Sequence, residues 1–591
     1  MLRFFKDRSE QSFFSPLFRQ VAIFIGRILL HLLRLQMLRA TQANSIALRR
    51  IIARNQHSEF GQQHRFSSLL KDSQIANKYK SLVPLSSYQD YEAAIARMKQ
   101  GEPNILVSEP LVSFAATAGT MGLAKIVPRT RSHLRVPMKI SGLLNPAIGT
   151  NYFLKGKPRG KGICLLTGAG AIETTQSGAT VEEHSSMGMR RVAKMIPHLW
   201  CSPAEVFAID DDRTARYLHA LYGLRDDRVQ YIAATYAPYV LQWLIDMESR
   251  WSELVDDIES GTLSENLTLP PAARQSLAAN LTPDPARAAV LRAATASGFR
   301  GIAPRIWPQM AYVETVTTGS FSIYVPALQF YLGNIPLFSS FYGSSEAAIG
   351  IGLWPDRPGD YALPLGSAYY EFIPLSDVDK EHPRTVDLDS LKIGESYEVV
   401  VTNLSGFYRY RIGDIVKIAG RYFEAPILNF SHRRGTTLDL AGEKTNEAHV
   451  KTTIDRLTDE WMQEMDSCWR DYTAAIDSTT TTPSRYVFYI ELLGDIVPSV
   501  AIATIDRGAQ LLDKALGDVN RAYRLQRRQG SIGMPQVKLL ASGSFSLLSE
   551  KRNLNQLKIP RYLTNKQQID LLESRVIAAS DREESHNLAL A

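Results

Sequence analysis

Apolar residues recur along this chain in three different rhythms. The first occupies 12–39, SFFSPLFRQVAIFIGRILLHLLRLQMLR, where Leu, Ile, Phe and Val are interrupted by Arg19, Arg27, His31 and Arg34. At 100° per residue the three arginines, Gln20 and His31 fall within about 120° of one another. The pattern predicts a helix with a narrow basic stripe and a broad apolar surface. Such a helix is read first as packing on its own domain or on a partner, and second as lying in a membrane interface. The apolar run is never 18 residues long without interruption, so a transmembrane span is not expected. Arginines within the apolar region, and the lack of a clean small-residue cleavage site, argue against a signal peptide.

The second rhythm is alternation of strands with helices. Helical patterns cover 41–61, with Leu48, Ile51 and Ile52 on one side, and the segment from Asp90 to Gly101. KGICLLTGAG (161–170) reads as a strand and a glycine turn, 181–196 as a helix, VFAI (206–209) as strand-like, and TARYLHALYGL as a helix. Alternation over hundreds of residues predicts an α/β domain with a mixed or parallel sheet. Residues 258–300 read as outer helices. The third is a run of strands, YYEFIP and SYEVVV, followed by SGFYRYRIGDIVKI (405–418), where Tyr408 and Tyr410 alternate with Arg409 and Arg411 in period two and predict a strand with two different faces. After GEKTNE (442–447) the character changes to helix, Ser/Thr loop, strand, basic helix (509–528) and strand, a small α+β unit in which Thr445 or Asn446 caps the helix that follows. The expected division is an amphipathic helix at 1–40, a large domain at 41–443 and a small domain at 444–591.

Composition narrows the partners. At 591 residues the chain exceeds one hydrophobic core. A formal charge of +7 is a mild excess, no nucleic-acid signature, and helps approach to phosphates or an anionic surface. Three scattered cysteines, Cys164, Cys201 and Cys468, make neither a disulfide framework nor a metal knuckle, and a reducing, cytoplasmic setting is expected.

Candidate chemistry centres on FAATAGTMGLAKIVPRT (114–130). Gly119 and Gly122 allow a tight turn that brings backbone N–H groups to a ligand. Thr117 and Thr120 add hydroxyls and Lys125 a charge, so the stretch reads as a phosphate-holding loop or as an ordinary small-residue turn. Its spacing is not that of the common Gly-rich nucleotide motifs. Glu346 stands alone between SFYGSS and AAIGI; an acid in such a setting needs a cation or a hydrogen-bond partner, and a metal is one answer. Asp414, after Gly413, reads by itself first as a β-turn residue, with an acceptor for a ribose diol as the alternative.

These landmarks, with NLNQLKIPRY at 553–562, form an ordered set. Together with NQHSEFG (55–61), YVETVTTGSFSIY (312–324), FYGSSE (341–346) and SYEVVVTNLSGFYRYRIGDIV (396–416), they resemble the GH3 family of acyl-acid amido synthetases over about residues 40–565. A bacterial-type member is expected. The family belongs to the adenylate-forming superfamily, so the resemblance implies an α/β fold with a large adenylate-forming domain of mixed sheets and a small mobile α+β C-terminal domain. It implies ATP-dependent adenylation of a carboxylic acid, then transfer of the acyl group to an amine, often an amino acid, with release of AMP. It places Thr117, Ala118, Gly119 and Thr120 on the phosphates, with Thr120 also catalytic. Tyr342, Gly343 and Ser344 fall at the nucleoside, Asp414 and Arg411 at the ribose or phosphate, Glu346 on Mg²⁺, and Lys558 as the catalytic lysine of the C-terminal domain. Ala118 and Met121 stand where the family commonly carries hydroxyls. Trp307, Tyr312 and Tyr324 are candidates for the acyl pocket. Two other readings are an acyl-CoA ligase-like enzyme with a thiol acceptor and a non-catalytic, membrane-associated protein of the same fold. Peripheral membrane contact is assigned to residues 12–39.

Overall fold

The computed structural model describes residues 8–116, 125–170, 172–435, 437–477, 483–494, 498–549 and 559–580. Two units are distinguished by their internal contacts: one comprises 1–318, 331–430 and 553–556, the other 319–330, 431–552 and 557–591.

Among the described residues the first unit holds three sheets. One is a parallel sheet of Ile163–Cys164, Tyr231–Tyr236, Tyr312–Val316 and Leu337–Phe338. Helices Asp212–Arg225 and Ala237–Ser249 connect its strands, as parallel pairing requires. A second sheet pairs Leu111–Ala116 antiparallel to Ile126–Thr130 and parallel to Thr180–Glu183. The third has seven strands, in the order Tyr369–Pro374, Ser396–Thr402, Tyr410–Tyr422, Ala425–Arg433, Tyr361–Ala362, Ala348–Ile351 and Phe341–Gly343. Its strand Ser396–Thr402 is buried from Tyr397 to Thr402, which is why VVVT reads as a continuous apolar run rather than an alternation. The mixed sheets and helical connections are the α/β architecture anticipated from the chain.

Local signals explain most boundaries. Gly101 ends the helix Gln89–Gln100 at φ 102, a left-handed conformation that glycine adopts without a Cβ clash. The helix Ala40–Asn55 buries Leu48, Ile51 and Ile52, the predicted face. Two readings of local structure change. Residues 204–208 form a short 3₁₀ turn where VFAI suggested a strand, and 180–183 form a strand ahead of the helix His184–Val192.

The N-terminal helix, Arg8–Met37, belongs to the first unit. Ile23, Leu30, Leu33 and Met37 are buried. At Gly26 a Cβ would lie 2.2 Å from the Leu143 carbonyl oxygen, so only glycine permits this approach. The basic stripe is split: Arg19 Nε donates to the Arg159 carbonyl at 2.8 Å and Nη1 to that of His198 at 2.5 Å, facing inward. Arg27 reaches Asn151 Oδ1 at 2.8 Å from an exposed position.

The second unit is a four-stranded sheet, Trp469–Asp477, Arg485–Leu492, Gln536–Leu540 and Val576–Ala579, with the helices Glu447–Leu457 and Pro498–Val519. Asn446 caps the first helix by accepting from His449 N–H, while the Asn446 N–H donates to His449 Nδ1. The predicted basic helix is two helices, because Asn520 starts Arg521–Arg528 as a new N-cap.

Candidate active site

The strands flanking 117–124 pair with each other, Ala116 opposite Ile126, so the two ends of that loop are held side by side. Thr117, Ala118, Gly119, Thr120 and Met121 lie outside the described residues, as does Lys558. Lys125, at the loop's exit, is described. Its Nζ donates to the Tyr410 hydroxyl at 3.2 Å and sits 5.5 Å from the centre of the Tyr88 ring. Tyr410 in turn donates to Glu346 Oε1 at 3.3 Å. A chain from lysine through phenol to carboxylate thus links the base of the loop to the lone acid of the FYGSSE segment.

Glu346 is 7 % exposed, so its charge has little access to bulk water. Its position is set by its own backbone. Ser344 Oγ accepts from the N–H groups of Glu346 and Ala347 at 3.3 Å each, and Ser344 N–H donates to the Ala347 carbonyl at 2.9 Å. The Glu346 carbonyl accepts from Asn403 Nδ2 at 2.7 Å. Arg129 Nη2 donates to the neighbouring Ser345 carbonyl at 3.3 Å. Burial pulls the Arg129 guanidinium down to about 9, and the Glu346 charge works in the opposite sense. His133, buried nearby against Ser405 Oγ at 2.6 Å, is held neutral by burial and then by Arg129, at about 3.

Asp414, 3 % exposed, accepts from the Tyr342 hydroxyl at 2.8 Å. Tyr342 lies on the last strand of the seven-stranded sheet and Asp414 on the third. Flat, four strand spacings would separate them by roughly 19 Å. The bond therefore requires the sheet to curl back on itself, which brings the nucleoside candidates together. Gly343 is demanded by the same packing, since a Cβ there would meet Phe341 Cζ at 2.5 Å.

Arg411 is engaged elsewhere: its Nε donates to Glu398 Oε1 at 3.0 Å and its Nη2 to the Val378 carbonyl at 2.8 Å. Trp307 is a core residue, donating to the Gly223 carbonyl at 2.9 Å and stacked on Trp243. Tyr312 is fully buried between Phe153 and Tyr231. Tyr324 belongs to the second unit, where it donates to Asp471 Oδ2 at 2.6 Å beside Arg561. That unit also fixes the segment after Lys558: Thr473 Oγ1 donates to the Pro560 carbonyl at 2.6 Å, and Arg561 pairs with Asp471. Sequence reasoning passed over Arg129, Asn403 and Arg561. All three lie inside quoted motifs; for Arg129 and Arg561 a charged residue beside a proline was the available signal.

Three family domains match the chain in order: the GH3 family N-terminal domain at 29–337, the central domain at 361–433 and the C-terminal domain at 448–567. The chain belongs to the GH3 family. A probable indole-3-acetic acid-amido synthetase GH3.1 of Arabidopsis thaliana is 30% identical over 90% of both chains. The indole-3-acetic acid-amido synthetase GH3.8 of Oryza sativa subsp. indica is 30% identical over 85% of both. Among solved structures, the GH3.15 acyl acid amido synthetase superposes with a TM-score of 0.82 at 27% identity, covering 93% of this chain and 96% of that one. These relatives overturn the expectation of a bacterial-type member: the similarity is to the plant-type enzymes. This GH3 chain is an ATP-dependent acyl-acid amido synthetase. It activates a carboxylic acid by adenylation and forms an amide with an amino-acid-type amine.

Proposed function

We propose that the adenylation site of this enzyme is built on the cluster of Lys125, Tyr410, Glu346, Tyr342 and Asp414. The observation that carries the reading is the linked set Lys125–Tyr410–Glu346, which ties the end of the 117–124 loop to a buried acid. In this reading Thr117, Ala118, Gly119 and Thr120 bind the phosphates, and backbone N–H groups supply the donors that Ala118 and Met121 do not. Donors fixed around phosphate oxygens stabilise the charge that develops during transfer at phosphorus. Tyr342, Gly343 and Ser344 pack at the nucleoside and Asp414 accepts from the ribose. Arg411 acts indirectly, by neutralising Glu398 on the adjacent strand. Lys558 delivers positive charge to the adenylate-forming phosphate.

Mg²⁺ fits Glu346. Among the described residues no group of three or more His, Cys, Asp or Glu side chains converges. Glu346 by itself offers a single buried carboxylate beside the 117–124 loop, and Mg²⁺ is commonly held by one or two carboxylates with the substrate's phosphates. When bound it would neutralise phosphate charge. The large adenylate-forming domain is assigned to 41–443 and the domain carrying Lys558 to 444–591. Residues 12–39 make peripheral contact with a membrane.

The test is pyrophosphate release from ATP with a library of acids that includes indole-3-acetate and 2,4-DB, with amino acids and coenzyme A competing as acceptors. Amide products identified by mass are expected. In the same assay Lys558→Ala is expected to depress adenylate formation far more than ATP binding; equal rates would remove its role, and thioester products would move the acceptor to a thiol.

A further inference from the structure

One face of the N-terminal helix is open to solvent. Leu17, Val21, Phe24, Ile28, Leu32 and Leu35 are 47–62 % exposed. At 100° per residue they fall within roughly 80° of one another, a stripe about 27 Å long. The helix is long and apolar enough to cross a membrane. Its opposite side, however, is packed at Gly26 on Leu143 and bonded through Arg19 to two carbonyls, so while folded it presents a side and not a span.

Basic groups flank this stripe on both sides. On one side stands exposed Arg27, whose Nη2 lies 4.0 Å from the Cβ position of Gly156 in the turn that carries Lys155 and Lys157. On the other side is a groove of about 330 Å³ between this helix and Arg131–Lys139. Leu29, Leu33, Val136 and Leu144 form its apolar wall, and Arg50, Arg54, Arg135 and Lys139 line it as well. Arg54 faces Glu109 at 3.8 Å. Arg50, one helical turn from Arg54, donates to the Gly366 carbonyl, and Arg54 helps to lower the Arg50 guanidinium after burial does. Arg135 and Lys139 have no ion-pair partner among the described residues. The sequence is one-sided in the same places. Residues 11–58 and 125–161 together carry sixteen Lys and Arg and no Asp or Glu, against +7 for the whole chain, so the rest is acidic on balance.

We infer that this groove and stripe form a docking site for an anionic phospholipid surface, with the helix lying in the membrane plane and lipid headgroups on Arg50, Arg135 and Lys139. The inference deepens the peripheral-contact reading above and rests on it. Apolar burial and cation–headgroup attraction act together at such a surface, and lateral docking leaves the rest of the first unit in water.

The experiment is flotation of the full chain with vesicles of phosphatidylcholine alone or with about 30 % phosphatidylserine. At least ten-fold tighter binding to the anionic vesicles is expected, falling as salt rises. Arg135→Glu and Lys139→Glu should each weaken it at least about five-fold, since losing one basic residue removes about 1 kcal/mol and the new carboxylate adds repulsion. Phe24→Asp with Ile28→Asp should abolish it, with thermal midpoint and pyrophosphate release in solution unchanged. Equal binding to both vesicles, insensitive to Arg135→Glu, would overturn the anionic site and leave the peripheral contact standing. Binding to neither would overturn both. A dimer that Phe24→Asp dissociates, without lipid binding, would assign the face to a second copy and overturn the inference.

Discussion

Two regions of the seven-stranded sheet bury carboxylates, and they answer the charge in opposite ways. In one, Glu371 of the first strand meets Arg409, just ahead of the third, with Nε at 3.1 and 3.2 Å and Nη2 at 3.0 Å, and Glu398 of the second meets Arg411. Both acids are 1 % exposed and each faces a guanidinium. At the candidate site Glu346 and Asp414 are almost as buried, yet they take hydrogen bonds from the phenols of Tyr410 and Tyr342. A guanidinium cancels a carboxylate's charge; a phenol orients the carboxylate and leaves its charge in place. The first arrangement holds a fold together. The second fixes the orientation of two carboxylates at the candidate site, where the nucleotide-binding reading places the metal and the ribose.

The comparison can be broken by experiment, beginning where the loss should be greatest. Arg409→Leu leaves Glu371 buried without its cation and should cost about 3–5 kcal/mol in chemical denaturation. Adding Glu371→Leu should restore most of it, and a single variant as stable as the parent would deny the structural role. Next, Glu346→Gln should slow pyrophosphate release about 10²–10³-fold while shifting the thermal midpoint little. A loss of stability like that of Arg409→Leu would erase the distinction. Tyr342→Phe removes one hydrogen bond to a charged group, about 1.5–3 kcal/mol, and should change KM for ATP more than kcat. The smallest effect is a pH dependence. His133 is held neutral at about 3 against an ordinary 6.5. The unfolded chain thus takes up the proton first as pH falls, so stability is full above 6.5 and declines between 6.5 and 3. His133→Gln should flatten that part of a plot of melting midpoint against pH.

Much of this was legible in the chain. Glu346 stood out as the one acid in a small-residue, apolar segment, and the α/β alternation and the capping asparagine could be read directly. The guanidinium partners could not. Arg409 and Glu371 are 38 positions apart, and only strand order brings them together. The Tyr342–Asp414 bond spans 72 positions and depends on the curl of the sheet, which periodicity does not encode. The N-terminal helix shows the same limit. A helical wheel sorts residues into faces, but Arg19 turned inward because carbonyls at 159 and 198 wait there, and part of the apolar surface was left outside.

Gly26 has a consequence at a distance. The missing methyl group sets the clearance between the N-terminal helix and Leu143, and so fixes the helix's rotation about its own axis. A side chain there would act as a wedge, tilting or rolling the whole rod. Since every residue on the rod turns together, one hydrogen atom in the interior selects which of the helix's apolar side chains face solvent.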